Sequence, residues 1–319
     1  MEIYKQLIDK FSNLPHLKEW NEVQSLFQRV ALSKPAHWLL PVRVCESVGG
    51  DQIQALPAML VVACAHIGIV LVDDMLDADE RGEYRKLGEP AVANMASALQ
   101  SAALRVIADS ELNSTAKLSA MEVVNEMFFA TTIGQYWDVN SIIKDEDDYW
   151  KIAKAKSSPF FSTSLQLGAL FGGADHQLAL QIKELGNIYG EMVQIHDDVH
   201  DTLENSATPD WDANRAPLPI LFASTVDHPK RNRFNELRPF VKTSSKSLEE
   251  AQEILIQSGA ISFCIYQLLG RYEIVKEKIL EIKIERRNIL EKIFDEIVSP
   301  VHKLFKEIDS TSAVQADTV

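Results

Sequence analysis

The sequence has few cysteine, glycine and proline residues for a chain of 319, with 3, 13 and 12 respectively. The cysteines, Cys45, Cys64 and Cys264, are far apart and lie in apolar segments. This distribution excludes a disulfide framework or a zinc site built on closely spaced cysteines. The N-terminus is charged and amphipathic and has no apolar core of a secretion signal. We therefore expect a cytoplasmic protein with reduced thiols.

Strand-like alternation of apolar and polar residues is also lacking, as are short repeats and low-complexity tracts. Apolar residues, which make up 46% of the chain, instead recur at helical spacing. We predict an all-α fold with one domain over residues 1–319, of which 1–14 and 309–319 are peripheral. Its longest helices are expected to surround a central cavity, and its last ten residues to fray.

Glycines, prolines and the spacing of apolar residues define the expected helices. The predicted segments are two within residues 1–32 (the second opened by Pro15), a short helix ended by Gly49 and Gly50, helices over about 51–78, 91–110, 114–142 and 176–204, one after residue 145 kinked at Pro159, and further helix over 218–306.

Excess positive charge is absent, because 46 acidic residues against 32 basic ones give a net charge of −14. This balance argues against nucleic acid or an anionic membrane surface as the main partner. Residues 55–72 carry no formal charge and approach the length of a membrane span. Pro57 and His66 interrupt the run, and it ends on carboxylates without a basic anchor. A buried central helix is the better interpretation, so we do not expect an integral membrane protein.

That apolar helix ends on a cluster of three carboxylates, Asp73, Asp74 and Asp77. Residues four apart share a helix face, so Asp73 and Asp77 project side by side with Asp74 next to them. His66 falls two turns earlier on the same face. Three carboxylates on an apolar helix are costly unless a cation lies between them.

A second cluster repeats the same spacing downstream, with Asp197, Asp198 and Asp201, and Gln194 lies one turn before it. A single acidic cluster is usually a solvated helix face, but two copies that each end an apolar helix favour a shared role. Carboxylate oxygens suit Mg²⁺, most naturally Mg²⁺ that carries a diphosphate.

In combination, these motifs resemble those of the trans-isoprenyl diphosphate synthases (polyprenyl synthetases), over residues from about 35 to 275. The other residues that carry the resemblance are Gly134, Gln135 and Asp138, then Lys156 and Ser157, and a stretch from Asp210 through Arg215 to Pro219. The resemblance implies an all-helical homodimer in which both clusters face a deep pocket and about three Mg²⁺ ions bind an allylic prenyl diphosphate.

The resemblance also implies roles for individual residues. The implied metal ligands are Asp73, Asp74, Asp77, Asp197, Asp198 and Asp201; the implied catalytic residues are Asp73, Asp74, Asp77, Asp197, Lys156, which would bind the leaving diphosphate, and Gln194, which would help to fix it. The implied substrate-binding residues are His66, Arg85, Lys86, Gln135, Arg215, Phe160 and Phe161, and these phenylalanines could face an allylic cation or be ordinary core aromatics.

The chain departs from the family at the segment that usually binds isopentenyl diphosphate, the homoallylic acceptor. His37 occupies the place of a lysine, and Trp38 and Leu40 replace two arginines. Neutral side chains cannot hold a diphosphate as lysine and arginine do. The residues expected to bind and ionise the donor are thus present, whereas the basic residues expected to bind the acceptor are replaced.

This asymmetry leaves three alternatives open. The chain is a prenyltransferase whose acceptor is non-standard or is held differently, a terpene synthase on the same fold, or a non-catalytic partner subunit of a prenyl synthase. An inactive subunit has no need of two costly carboxylate clusters, so we favour an enzyme. Ala65, Gly68 and Ile69 precede the first cluster without an aromatic plug, and they indicate room for a chain of about fifteen carbons or more, or merely close helix packing.

Overall fold

The structure is a computed structural model that describes residues 2–212 and 215–316, with side chains as far as residue 303. Within this range the chain forms helices and no strand, which confirms the predicted all-α class. The helices are α1 (Glu2–Ser12), α2 (Asn21–Ser33), α3 (Leu40–Ser47), α4 (Gln52–Leu76), α5 (Tyr84–Leu87), α6 (Glu89–Ala108), α7 (Ser114–Asn140), α8 (Glu146–Lys156), α9 (Ser158–Phe171), α10 (His176–Leu203), α11 (Leu218–Thr225), α12 (Arg231–Leu237), α13 (Ser245–Gln257), α14 (Ala260–Glu281) and α15 (Arg287–Ala316).

Helix α4 is the central element of the fold. It begins with a capping box, in which the Asp51 carboxylate accepts from the backbone N–H of Gln54 and the Gln54 side chain accepts from the N–H of Asp51. Its buried residues are distributed around the helix, and it packs against α3, α6 and α9. A helix that is apolar on all sides is stable in water only when it is enclosed.

Two helices, α4 and α6, are long and apolar enough to cross a membrane, and the bent pair α13–α14 would add a third if it formed one span. In this structure 67% of the most apolar window of α4 is buried inside the protein, and 44% of that of α6. The predicted burial of the run over residues 55–72 is therefore observed.

Glycines allow the helices that carry the site to approach closely. A Cβ at Gly186 or Gly190 of α10 would lie 2.5 Å from the Cα of Ser162 or 2.6 Å from that of Ser158, so larger residues would push α10 away from α9. Gly134 of α7 lies equally close to α8, because its Cβ would come within 2.4 Å of the backbone nitrogen of Lys156. The glycines therefore fix the spacing around the cavity.

Several helix boundaries differ from the sequence prediction. Pro15 does not open the second helix, because His16 adopts a left-handed conformation (φ 67°) and α2 begins only at Asn21. The segment expected to kink at Pro159 is two helices divided at Ser157, with the proline in the first turn of α9. The expected frayed end is helical as far as Ala316, and residues 317–319 lie outside the described range.

The buried apolar residues form two clusters. The larger involves α1–α11, α14 and α15, and the smaller is formed mainly by α11–α13 around Trp211 and Phe234. Helix α11 contacts both α10 and α14, which belong to the larger cluster. These contacts support one domain, which stays a prediction.

Candidate active site

Both aspartate clusters open onto one cavity of about 470 Å³ between α4, α7, α9 and α10. Its lining comprises His37, His66, Ile69, Asp73, Asp77, Gln135, Lys156, Ser157, Phe160, Phe161, Val193, Gln194, Asp197, Asp198, Asp201 and Asp210. Helices α4 and α10 each present their C-terminal part to this cavity. Two segments more than a hundred residues apart thus supply carboxylates to one space.

The carboxylates of the first cluster contact basic and amide side chains. Asp73 accepts from Gln135 Nε2 at 3.2 Å and lies 3.2 Å from Lys156 Nζ. Asp77, which ends α4, forms an ion pair with Arg215. Burial raises the pKa of Asp77, and Lys156 opposes that rise. The structure therefore brings the predicted residues Asp73, Asp77, Gln135 and Lys156 together.

Asp138 contacts both basic side chains of this region, Lys156 and Arg215. It lies 2.8 Å from Lys156 Nζ and also forms an ion pair with Arg215. Burial alone would raise the pKa of Asp138, but Lys156 and Arg215 outweigh it and lower that pKa. Burial likewise disfavours the charged form of Lys156, whereas Asp73 and Asp138 raise its pKa overall. Lys156 is therefore charged, and an anchored ammonium group faces the cavity.

The second cluster differs, because its outer carboxylates lack such partners. Among the described residues, no lysine or arginine forms an ion pair with Asp197 or Asp201, and Asp201 lies close to His200 and Glu204. The Asp197 side chain still reaches solvent, but its enclosure by the cavity walls, then Asp198 and Asp201, raises its pKa to about 7. The outer carboxylates of the second cluster therefore lie close together without a lysine or arginine ion-pair partner among the described residues.

Asp198 also lies in the cavity lining, but it is only 2% exposed. One oxygen accepts from Gln194 Nε2 at 2.7 Å, and the other accepts from the Tyr149 hydroxyl and the Leu218 N–H, each at 2.7 Å. Ser157 in turn donates to Gln194 Oε1. The carboxylate is thus satisfied by the protein, and its predicted contact with metal stays a prediction. The spacing of the motif gave no sign of this difference.

The candidate metal ligand Asp74 and the nearby Asp79 lie outside the cavity lining. Asp74 is half-buried, and burial, followed by the charges of Asp79 and Asp73, raises its pKa to about 6. Asp79 is paired with the exposed Arg81 at 3.0 Å. The prediction that Asp74 binds metal is not tested by this arrangement.

The predicted phosphate-binding residues Arg85 and Lys86 belong to the one-turn helix α5 and are exposed. Arg85 donates to the Ala78 carbonyl at 3.3 Å, and Lys86 lies 3.9 Å from Glu83. Neither is among the described residues that line the cavity. Arg215 is 8% exposed and neutralises carboxylates of the site, whereas a role in binding substrate was predicted. These three substrate contacts stay predictions.

Aromatic residues form another part of the cavity wall. His37 and His66 have ring centroids 4.2 Å apart, and each lies 5.8 Å from the ring of Phe160. Phe161 lies 5.1 Å from Phe160 and also lines the cavity. Gly68, in contrast, faces α6, where its Cβ would meet Ala96 at 3.5 Å. Gly68 therefore serves helix packing, and only Ile69 of the predicted small-residue set lines the cavity.

Sequence reasoning gave no role to Asp138, Tyr149 or Asp210, although two of them occur in motifs that the family shares. Asp210 lines the cavity, and burial, followed by Asp198 and Asp201, raises its pKa to about 7. The signal for Asp210 was the stretch from Asp210 to Pro219, in which residues 213–214 lie outside the described range. Nothing in the sequence pointed to Tyr149.

The residues of the cavity fit divalent cations. Asp73, Asp77, Asp197 and Asp201 offer carboxylate oxygens from two sides, and oxygen is the ligand that Mg²⁺ and Ca²⁺ prefer. Burial and the neighbouring carboxylates raise the pKa of Asp197, so its charged form is disfavoured without a cation. A cation bound at this cluster would stabilise that charged form.

Comparison with known proteins identifies the family of this chain. The family model described as "Polyprenyl synthetase" matches residues 32–258, about seven-tenths of the chain. The chain belongs to the polyprenyl synthetase family. As a member of this family it is an enzyme of the prenyltransferase type, which confirms the predicted class and the predicted fold.

The relatives of this chain within the polyprenyl synthetase family share low sequence identity with it. A geranylfarnesyl diphosphate synthase of Aeropyrum pernix is 23% identical over 283 residues, which are 82% of this chain and 89% of that protein. A geranylgeranyl diphosphate synthase of Methanosarcina mazei is 27% identical over 168 residues, which are 50% of this chain and 52% of that protein. This match therefore spans about half of the length of either protein. These proteins are synthases of prenyl diphosphates and do not favour the terpene synthase alternative.

A solved structure supports the fold. The polyprenyl synthase of Caulobacter crescentus, complexed with calcium and isoprenyl diphosphate, superposes with a TM-score of 0.77, covering 93% of either chain at 19% identity. Use of a divalent metal by the family is consistent with that complex.

Proposed function

We propose that this protein transfers the prenyl group of an allylic prenyl diphosphate in a reaction that depends on Mg²⁺. One observation carries the proposal: the carboxylates of Asp73 and Asp77 and those of Asp197 and Asp201 line a single cavity that also exposes Lys156. A diphosphate placed between the two clusters would meet cations from both sides. An apolar wall then continues from that position, as a prenyl chain requires.

Asp73, Asp77, Asp197 and Asp201 are the residues that we propose to hold the metal, with about three ions as the resemblance implies. When bound, Mg²⁺ neutralises the diphosphate and makes it a better leaving group. Asp198 orients the site, since its hydrogen bonds fix Gln194 and the start of α11. Asp74, a further metal ligand that the resemblance implies, lies outside the cavity lining, so we leave it out of this set.

Lys156 supplies the protein's own positive charge to the leaving group. Lys156 Nζ lies 3.2 Å from Asp73 and 2.8 Å from Asp138. When the substrate binds, Lys156 would leave Asp73 and contact the diphosphate oxygens, and Asp138 would keep it in place. A charged ammonium group in a partly enclosed site stabilises the anion that develops as the carbon–oxygen bond breaks. Ile69, Phe160 and Phe161 keep water from the allylic cation until the acceptor attacks.

The test is the release of diphosphate from farnesyl or geranylgeranyl diphosphate with and without Mg²⁺. We expect Asp73→Ala and Asp197→Ala to abolish release while the circular dichroism spectrum is unchanged, because each removes a metal ligand and no core contact. Removal of Mg²⁺ with EDTA should have the same effect on the unchanged chain. Near-normal turnover in either variant would refute the metal-cluster mechanism.

We also propose that the protein is a homodimer that associates through α7. The exposed side of α7 carries Leu118, Phe129, Ile133 and Tyr136, whose exposed fractions range from 45% to 62%. A second copy would cover this apolar face. Sedimentation velocity should give a dimer for the unchanged chain and a monomer for Tyr136→Asp; a dimeric variant would exclude this face.

Finally, we propose that the protein is cytoplasmic and not an integral membrane protein. The thiols of Cys45, Cys64 and Cys264 are buried and unpaired, as a reducing compartment favours. The most apolar helix is enclosed by other helices and offers little surface to lipid. Fractionation of cells into membrane and supernatant tests this: recovery in salt-washed membranes would contradict it.

A further inference from the structure

Arg238, which directly follows α12, is a partly buried cation without a carboxylate of its own. Among the described residues, no aspartate or glutamate forms an ion pair with it. Burial lowers the pKa of Arg238, and the charge of Asp212 opposes that change, but Asp212 itself is paired with Lys242 at 2.5 Å. An enclosed charge that lacks an opposite charge is costly, so the hydrogen bonds of Arg238 have to offset that cost.

The hydrogen bonds of Arg238 go to the two ends of one backbone turn. Its Nη2 group donates to the carbonyl of Asp212 at 2.8 Å and also to the carbonyl of Arg215. The Asp212 carbonyl accepts in addition from the Arg215 N–H at 3.0 Å. A single guanidinium nitrogen therefore holds together the residue that begins the turn and the residue that ends it.

Both sides of this contact are anchored in the smaller apolar cluster. Leu237 and Val241, on either side of Arg238, are buried there with Phe234. Trp211, which precedes Asp212, is buried in the same cluster. Because protein interiors are closely packed, side chains within them have little freedom to move. The cluster therefore fixes the start of the turn relative to Arg238.

Arg215 extends this arrangement into the candidate active site. Its guanidinium group forms ion pairs with Asp77 and Asp138, and Asp138 lies 2.8 Å from Lys156 Nζ. A long side chain loses conformational entropy when it is held between two carboxylates, and a fixed backbone reduces that loss. The position of the Arg215 backbone therefore affects a proposed metal ligand and the ammonium group that meets the diphosphate.

We propose that Arg238 is a positioning residue for the prenyl transfer, which acts through Arg215 by holding its guanidinium group against Asp77 and Asp138. This inference rests on the proposed function and adds a residue that is not among the described residues of the cavity lining. Replacing a residue that orients the groups of a site from outside typically lowers activity by about 10–100-fold.

Arg238→Met removes the hydrogen bonds and keeps an unbranched apolar side chain. Diphosphate release from farnesyl or geranylgeranyl diphosphate is measured at saturating Mg²⁺, and we expect about a 10-fold lower kcat. Arg238→Lys should restore kcat to within about 3-fold, because one ammonium group can donate to both carbonyls. The matched control is Arg233→Met in α12, since Arg233 pairs with the exposed Glu250 and should not affect kcat. Unchanged kcat in Arg238→Met would overturn the inference and leave the proposed function standing.

A double-mutant cycle shows whether the effect passes through Arg215. In the Arg215→Gln background, Arg238→Met should change kcat by less than about 2-fold, because the group that Arg238 positions is already gone. A merely structural role predicts an equal loss in both backgrounds, and that result would overturn the inference.

Circular dichroism checks that each variant is folded. If Arg238→Met unfolds the chain, the shorter polar side chain of Arg238→Gln takes its place in both tests, and the rescue by Arg238→Lys does not depend on Arg215→Gln. No diphosphate release by the unchanged chain would overturn the proposed function, and the inference with it.

Discussion

Asp138 is the residue on which the charge arrangement of the site depends most. It contacts both Lys156 and Arg215, and its side chain is only 16% exposed. Breaking a buried ion pair by removing one partner leaves an uncompensated charge, which is more harmful than replacing the whole pair.

We predict that Asp138→Asn lowers the free energy of unfolding by about 2–4 kcal/mol, because two enclosed cations lose their shared partner. Urea denaturation followed by circular dichroism measures it. The control is Asp109→Asn, which removes an exposed partner of Arg105 and should cost at most about 0.5 kcal/mol. Equal losses in the two variants would show that Asp138 is an ordinary surface carboxylate.

The carboxylate of Asp138 stabilises the fold, whereas the charged form of Asp210 destabilises it. Its pKa is raised to about 7, while an unfolded aspartate titrates near 3.9. The folded chain therefore keeps this proton over a range in which the unfolded chain has lost it, so the contribution of Asp210 to stability falls as pH rises from about 4 to 7.

We predict that, without metal, Asp210→Asn unfolds at the same temperature as the unchanged chain near pH 4. At pH 8 it should be more stable by about 1–3 kcal/mol. Comparing the two proteins at each pH cancels the contributions of other titrating groups, including His37 and His66. A difference that does not change with pH would mean that the pKa of Asp210 is not raised.

The sequence was sufficient to predict the direction of those side chains whose direction depends on local helix geometry. Asp73 and Asp77 lie one helical turn apart, so their common direction follows from the helix itself. Asp198 shows the limit, because its hydrogen bonds from Tyr149 and from the Leu218 N–H depend on how α10 packs against α8 and α11. The ion pairs of Asp138 with Lys156 and Arg215 also join distant segments, and spacing along the chain does not reveal them.

At the level of the helices, close packing positions Lys156. Gly134 of α7 touches the backbone of α8 at the residue that precedes Lys156 and at Lys156 itself. A methyl group there would meet backbone atoms at 2.4 Å, and the backbone cannot move aside as a flexible side chain can.

We predict that Gly134→Ala separates α7 from α8, lowers the free energy of unfolding by about 1–3 kcal/mol and reduces the rate of diphosphate release. Gly270→Ala in α14 is the control, since its Cβ would meet nothing within 4 Å. That change should be neutral or stabilise by up to about 1 kcal/mol through helix propensity. If both variants behaved alike, the close approach of α7 and α8 would not matter for the site.

Long helices with strong end signals were predictable, and short connections were not. Helix α4 begins at the Asp51 cap, and α10 at Asp175, whose side chain accepts from the Leu178 N–H. The break at Ser157 arises where α8 packs against Gly134 and α9 against Gly190. Those contacts are long-range, so Pro159 alone predicted a kink and not two helices.

In the whole molecule, acidic side chains outnumber basic ones, and six aspartates line one cavity. The interior of a folded protein does not retain such charge without compensation. Two helices far apart in the chain converge on that cavity, and this convergence is the reason why we assign a metal-bound diphosphate to it.

Calorimetric binding of an unreactive allylic thiodiphosphate, with and without Mg²⁺, tests this central claim most directly. We predict binding that requires Mg²⁺ and is lost in both Asp73→Asn and Asp197→Asn, because the ions must be held from both helices at once. Equally tight binding without Mg²⁺, or loss in only one of the two variants, would contradict the assignment of a single site shared by the two clusters.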